Sequence, residues 1–481
     1  MNMQKKFIQN LALLLTLNLL IKPFWVYGIE REVQRVVGLE SFGLYFALFN
    51  FTFLLNILLD FGITNFNNKN IAQNNHLITK HFSSILVLKL LLGVVFMLVT
   101  IFIGALLGYN SWQIHLLAMM GINQFLAFMI MYLRSNLAGL HLFKTDSIIS
   151  VLDRSLMIIF CSLLLWGGVF ERPMTIELFV YTQTFSYTLT TLITFYIVVK
   201  KASFKKLKWH YPFFLLILKK SFPFAVLVLL MTFYNRVDGV MLERMLPDGA
   251  LQSGIYASAY RVLDSANMIS FLFAGLLLPM FARMLRYKES VEQLVKLAFT
   301  ILITPAIVVV IACLLYSHDV MGMLYHTHVD ESASVFSLLM GCFVATSLTY
   351  IFGTLLTANG NLFQLNMMAG SGMVFNLVMN FILIPRYGAK GAAISSVITQ
   401  FAAAFLQIYM AQRIFKFRVN NRLLLQLFLF IPVTFLLGYL SKEFINSWLA
   451  GIVIFGVSSI GFAFIIKLLH VKSIFRILKY G

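Results

Sequence analysis

The sequence predicts an all-α, polytopic membrane protein of about fourteen transmembrane helices, set as two pseudo-symmetric six-helix lobes plus two C-terminal helices. Three observations lead to this. Of the 481 residues, 60% are hydrophobic and only 11% charged, against about a quarter charged in an ordinary soluble domain. Apolar runs of about 18 residues or more recur along the whole chain, the length an α-helix needs to cross a bilayer. Short sequence echoes recur at a nearly constant offset, as duplication of a helical unit requires.

Taken in order, hydropathy places spans at 7–29, 42–63, 82–107, 112–133, 148–169 and 176–199, then at 222–242, 254–281, 295–316, 335–357, 362–384 and 388–414, and finally at 423–440 and 447–469. Lys5-Lys6 before the first run resembles the start of a signal peptide. No small-x-small cleavage site follows, and the apolar run continues past Lys22-Pro23, so it reads as a retained helix, kinked at Pro23. The longest inner loop carries KKASFKKLKWHYP and a further Lys pair. It suits a topogenic, lipid-facing linker, with a docking surface for a partner enzyme as the alternative. The domain limits follow: an N-terminal lobe 1–199 (helices 1–6), a basic cytoplasmic linker 200–221, a C-terminal lobe 222–415 (helices 7–12), and 416–481 for helices 13–14 and a cytoplasmic tail.

Loop charge orients the chain. Of 37 Lys and Arg residues, 24 fall on the termini and one alternate set of loops, and 7 on the other set. By the positive-inside rule both termini are cytoplasmic. The same rule accounts for the net charge of +19, and no long soluble basic domain exists to bind nucleic acid. Cys161, Cys313 and Cys342 lie in apolar runs without paired spacing, so neither a disulfide framework nor a zinc site is expected. His326, His328, Asp330 and Glu331 read as a solvated outer loop rather than a metal site.

Two echoes support the duplication. Gly38-Leu-Glu-Ser-Phe-Gly43-Leu-Tyr45 and Gly249-Ala-Leu-Gln-Ser-Gly254-Ile-Tyr256 share the spacing G-x4-G-x-Y at an offset of 211. Ala138-Gly-Leu-His-Leu142-Phe143 and Ala358-Asn-Gly-Asn-Leu362-Phe363 match at an offset of 220. An even number of helices per unit makes the halves parallel repeats.

The chemistry rests on polar residues inside spans. Charge near the bilayer centre costs roughly 2.5–3.5 kcal/mol on insertion scales and marks a protein interior, a water-filled cavity or a transport path. Lys22 shares a helix face with Asn18, and Asp60 with Asn56. Asp153 and Arg154 lie in the fifth span, Arg236 and Asp238 in the seventh, Arg261 and Asp264 in the eighth. One reading is mutually paired charges that fix helix packing. The other is a cavity for an anionic head group, with Lys22, Arg154, Arg236 and Arg261 as substrate contacts, since the Arg fork matches phosphate oxygens. Asp60, Asp238 and Asp264 then tune the site or bind a coupling cation or proton. Asn376-x3-Asn380 in the eleventh span reads as interhelical hydrogen bonding. No phosphate-binding glycine loop or soluble catalytic domain appears, so ATP hydrolysis within the chain is not expected.

Several stretches resemble the bacterial polysaccharide transporters, the O-antigen flippases of the multidrug/oligosaccharidyl-lipid/polysaccharide exporter superfamily. They are Val37–Tyr45, Leu59-Asp-Phe-Gly-Ile63, Asn70-Ile-Ala72, Asp238, Gly254-Ile-Tyr256, Leu278-Pro279, and Asn376 through Ala393. The resemblance implies a non-enzymatic flippase in the bacterial cytoplasmic (inner) membrane, working by alternating access. Its substrate would be an oligosaccharide repeat unit on undecaprenyl diphosphate, carried from the inner to the outer leaflet. It implies membrane lipids as surroundings, a polysaccharide polymerase and a chain-length regulator as partners, no bound cofactor, and coupling to a proton or sodium gradient. The arginine-rich first helix of lipid-linked peptidoglycan-precursor flippases is absent. Two alternatives stay open: a cation-coupled drug exporter of the same superfamily, and a membrane glycosyl transferase or polymerase.

Overall fold

The computed structural model describes residues 16–469 except 19, 22, 65, 66, 68–70, 72–75, 141, 168–173, 203–206, 208, 418 and 419. Among these residues every regular element is helical. A π-helical turn, Trp25–Glu30, leads into α1 (Arg31–Val37), α2 (Leu39–Leu54) and α3 (Ile57–Asp60). Then come α4 (Leu77–Leu106), α5 (Ser111–Gly139), α6 (Phe143–Trp166), α7 (Ile176–Ala202) and α8 (Tyr211–Met245). The remainder are α9 (Gly249–Arg286), α10 (Glu292–Leu315), α11 (Ser317–Leu324), α12 (Val329–Leu339), α13 (Gly341–Ala358), α14 (Leu362–Phe415), α15 (Asn421–Phe444) and α16 (Trp448–Ile465).

Nine helices among the described residues are long and apolar enough to cross a membrane. Their outward faces carry large apolar side chains such as Phe102 and Phe428, 64% and 76% exposed. Exposure on that scale suits a hydrocarbon environment, where a helix satisfies its own backbone. The expected eleventh and twelfth spans form one 54-residue run, α14, broken at Gly388 (φ 56, ψ −135). Left-handed φ is open to glycine at little cost, and Gln252 Oε1 accepts from the Ala389 N–H at 3.0 Å beside it. The expected sixth span, α7, falls outside the nine because it gives a face to polar side chains. These are Thr182, Gln183, Ser186, Thr190 and Thr194, all buried.

Several boundaries differ from the sequence reading: α8 begins at Tyr211, inside the linker expected at 200–221, and α11 and α12 occupy most of 317–334, expected as loop. The loop expected at 30–41 is mostly helix, running to Val37 and ending at Gly38 with φ 86. Glu32 and Arg35, one turn apart, form an ion pair at 2.9 Å, which supports this exposed extension.

The chain forms two compact units, Met1–Val240 and Met241–Gly481. In the first, α5 packs on α4 and α7, and Asn18 Nδ2 donates to Ser150 Oγ at 3.0 Å. In the second, α13 packs on α9, α10 and α14, and the Ser270 and Ser347 hydroxyls meet at 2.8 Å. The sequence echoes take matching local forms. Tyr45 and Tyr256 are both buried, and each hydroxyl lies near a polar side chain of a later helix in its own unit. Gln183 Nε2 donates to Tyr45 at 3.0 Å, and Ser396 Oγ lies 3.5 Å from Tyr256. In both units the second echo ends one helix and opens the next, at Gly139/Phe143 and Ala358/Leu362.

Candidate anion-binding site

In the first unit Arg154 sits midway along α6. Its guanidinium lies over the Trp25 ring at 5.4 Å and the Tyr187 ring at 5.8 Å. Asp153 Oδ2 stands 3.9 Å from its Nε, Nη1 lies 3.4 Å from Met157 Sδ, and Glu30 and Tyr45 are within electrostatic range. Despite these neighbours the side chain keeps 29% of its surface exposed. Phe179 braces the cage, stacked on Trp25 at 5.9 Å and edge-on to Tyr45 at 5.3 Å. Two aromatic rings flank the cation, the favourable cation–π arrangement, and its N–H groups also meet Met157 Sδ and Tyr187, so a bound anion would share this edge with them.

The local backbone explains why Trp25 and Glu30 act together. They open and close the π-helical turn, whose i→i+5 bonding sets residues five apart near one another, and such turns often mark functional positions. Sequence reading singled out Arg154 and Asp153 but missed Trp25, Glu30, Gln183 and Tyr187. A π insertion leaves no trace in hydrophobic periodicity, so only the polar residues within apolar runs pointed this way.

Asp60 has a different setting. It accepts from the Lys89 ammonium and the Thr64 hydroxyl, and from the Thr64 N–H at 3.3 Å. Lys89 also donates to the Leu59 carbonyl at 3.0 Å and lies 5.9 Å from the Tyr132 ring centroid. Phe61, at φ 47, ends α3 and turns the chain so that Thr64 meets Asp60. Asp60 is thus half of an ion pair joining α3 and α4, with a partner outside the expected set.

Arg236 lies over the Phe53 ring at 5.0 Å. One turn on, Gly239 brings α8 against α2 so closely that a Cβ would fall 2.7 Å from Asn50 Nδ2 and 2.9 Å from Phe46. Between them Asp238 is 1% exposed. In the second unit Arg261 is 7% exposed on α9, Asp264 follows three residues later and is half-buried, and Tyr256 and Tyr260 stack at 5.6 Å one turn earlier. Asn376 and Asn380, fully buried, bond to each other at 3.1 Å, and Asn376 to Ser395 at 3.3 Å. Lys22 lies outside the described residues.

With this geometry in place, comparison with known proteins decides the family. Residues 8–285 match the family described as polysaccharide biosynthesis protein. The chain belongs to that family. It is 24% identical over 397 residues to the uncharacterized membrane protein MJ1375 of Methanocaldococcus jannaschii, covering 79% of this chain and 92% of that one. A second protein of that organism, MJ1068, is 29% identical over 108 residues, 21% of each chain. Among solved structures, the inward closed lipid II flippase MurJ aligns with a TM-score of 0.69 at 14% identity over 92% of this chain and 97% of that one. An inward-facing multidrug resistance MATE transporter of the MOP superfamily aligns with 0.61 at 16% identity over 85% and 98%. The polysaccharide biosynthesis fold is therefore that of the MurJ and MATE membrane transporters.

Proposed function

We propose that this protein is a flippase that carries an oligosaccharide repeat unit on undecaprenyl diphosphate from the inner to the outer leaflet of the cytoplasmic membrane. The observation that carries the reading is Arg154, flanked by the Trp25 and Tyr187 rings inside an apolar helix while part of its side chain stays exposed. A diphosphate is the anion that a guanidinium fork meets in two-point contact. Membership of the polysaccharide biosynthesis family supports a glycan on the same carrier. Lys22, Arg236 and Arg261 are the further substrate contacts that this reading names. Asp153 and Glu30 hold Arg154 in charge balance until the substrate arrives, and Asp238 and Asp264 link transport to a proton or sodium gradient.

The test is deletion of the gene followed by complementation. Loss of the chain causes single lipid-linked repeat units to accumulate on the inner face, and the parent gene clears them. Unchanged lipid-linked intermediates combined with lost efflux of cationic dyes would instead identify a drug exporter.

A further inference from the structure

The second unit holds a cavity that the transport reading does not use. It has a volume of about 560 Å³ and lies between the first turns of α10, the first turns of α15 and the residues just after α16. Lys296 and Thr300 of α10, Asn420 and Arg422 at the start of α15, and Lys467 beyond α16 line it, above apolar side chains such as Leu297.

The cavity follows from how these helices are joined. At their far ends the Tyr316 and Ser441 hydroxyls hydrogen-bond at 2.8 Å. There Lys442 Nζ donates to the Leu315 carbonyl at 2.5 Å and covers the Tyr316 ring at 5.8 Å. Two glycines make that end tight. A Cβ would fall 2.5 Å from Leu315 Cδ1 at Gly438 and 2.6 Å from the Tyr316 hydroxyl at Gly451. At the near end Gln426 Nε2 donates to the Ile466 carbonyl at 2.6 Å. That bond ties α15 to α16 and leaves the space beside α10 open.

The open end is cationic. Lys296, Arg422 and Lys467 are exposed, and none forms an ion pair among the described residues, although Glu292 stands one turn before Lys296. The N-termini of α10 and α15 add partial positive charge. Alternate-loop charge bias reads this end as cytoplasmic. Leu424, Leu425 and Phe428 project outward from α15, 57%, 59% and 76% exposed, and would run alongside acyl chains. Basic pockets between membrane helices at the cytoplasmic side suit anionic lipid head groups.

We propose that this cavity binds the head group of an anionic bilayer phospholipid, which closes the open end of α15 and α16 against α10. The site is independent of the transported substrate.

The test uses purified full-length protein in neutral detergent, titrated with phosphatidylglycerol or phosphatidylcholine and read by native mass spectrometry. The parent binds phosphatidylglycerol at least about tenfold more tightly, and Lys296→Gln/Arg422→Gln/Lys467→Gln removes most of that preference. Lys80→Gln/Lys144→Gln/Lys390→Gln, exposed lysines away from the cavity with the same change in charge, keeps it. Thr300→Phe fills the cavity without altering charge and also weakens binding, so the result does not depend on one variant folding. Equal loss in both triple variants, or full binding by Thr300→Phe, overturns the proposal. Displacement of the lipid by millimolar inorganic phosphate, or by an equimolar polyprenyl phosphate, overturns its assignment to a bilayer phospholipid.

Discussion

Arg154 and Lys89 are both cations inside apolar helices, and their surroundings give them different work. Arg154 keeps 29% of its side chain exposed between two aromatic rings. Lys89 keeps 2% and is neutralised by Asp60. Arg154→Ala therefore lowers transport by about tenfold or more at normal protein level, the loss of a charge-assisted contact of about 1.5–3 kcal/mol. Arg154→Lys recovers only part of it, because an ammonium lacks the planar fork and stacks less well. Transport in cells lacking the chromosomal gene, normalised to the amount of protein in the membrane, measures both. Lys89→Met acts on stability instead. It strands Asp60 and costs up to about 3 kcal/mol, the low end for a broken buried pair because Asp60 keeps some exposure. Adding Asp60→Asn restores much of the loss, which thermal unfolding in detergent reads directly. At this scale the sequence was partly legible. Polar residues in apolar runs marked Arg154 and Asp60. Their partners Tyr187 and Lys89 lie 33 and 29 positions away, and pairing across such distances is settled by helix packing, which periodicity does not contain.

At the level of elements, helices follow from hydropathy while their joints do not. The apolar runs located the long helices, though α8 begins at Tyr211, eleven residues before the expected start at 222, and Gly388 separates two expected spans. The π-helical turn and the extension to Val37 were not legible, since both depend on contacts made by Trp25, Glu30 and Glu32 rather than on apolar spacing. Glycine contacts test the packing of elements. Gly239→Leu drives a side chain into Asn50 and Phe46 and separates α8 from α2, at a cost of about 1–3 kcal/mol for overpacking. It should lower the unfolding temperature and also transport, because Arg236 rides on the same face over Phe53. Gly388→Ala meets Gln252 Oε1 at 2.5 Å and must hold φ at 56. The backbone strain alone costs about 1–2 kcal/mol, and Gln252→Ala relieves the clash but not the strain. Unfolding temperatures of the two single variants and the double variant separate these contributions.

For the whole molecule, duplication is visible as two buried tyrosines, Tyr45 and Tyr256, each meeting a polar side chain within its own compact unit. The units differ in their charges. The first holds Arg154 among aromatic rings with two acidic neighbours, whereas the second places Arg261 at 7% exposure on α9, three residues before Asp264. Composition and loop charge were enough to read a polytopic helical protein, and loose motifs were enough to read the polysaccharide biosynthesis family. Which buried charges meet which partners depends on helix packing and was not legible in the sequence. The measurement that bears most directly on flipping is made in proteoliposomes containing the purified chain and a fluorescent lipid-linked oligosaccharide diphosphate, with a membrane-impermeant quencher outside. The parent protein should move the lipid between leaflets, and Arg154→Ala should slow that exchange to near the protein-free rate. Exchange by Arg154→Ala at the parent rate, or no exchange by the parent under any ion gradient, would contradict the account.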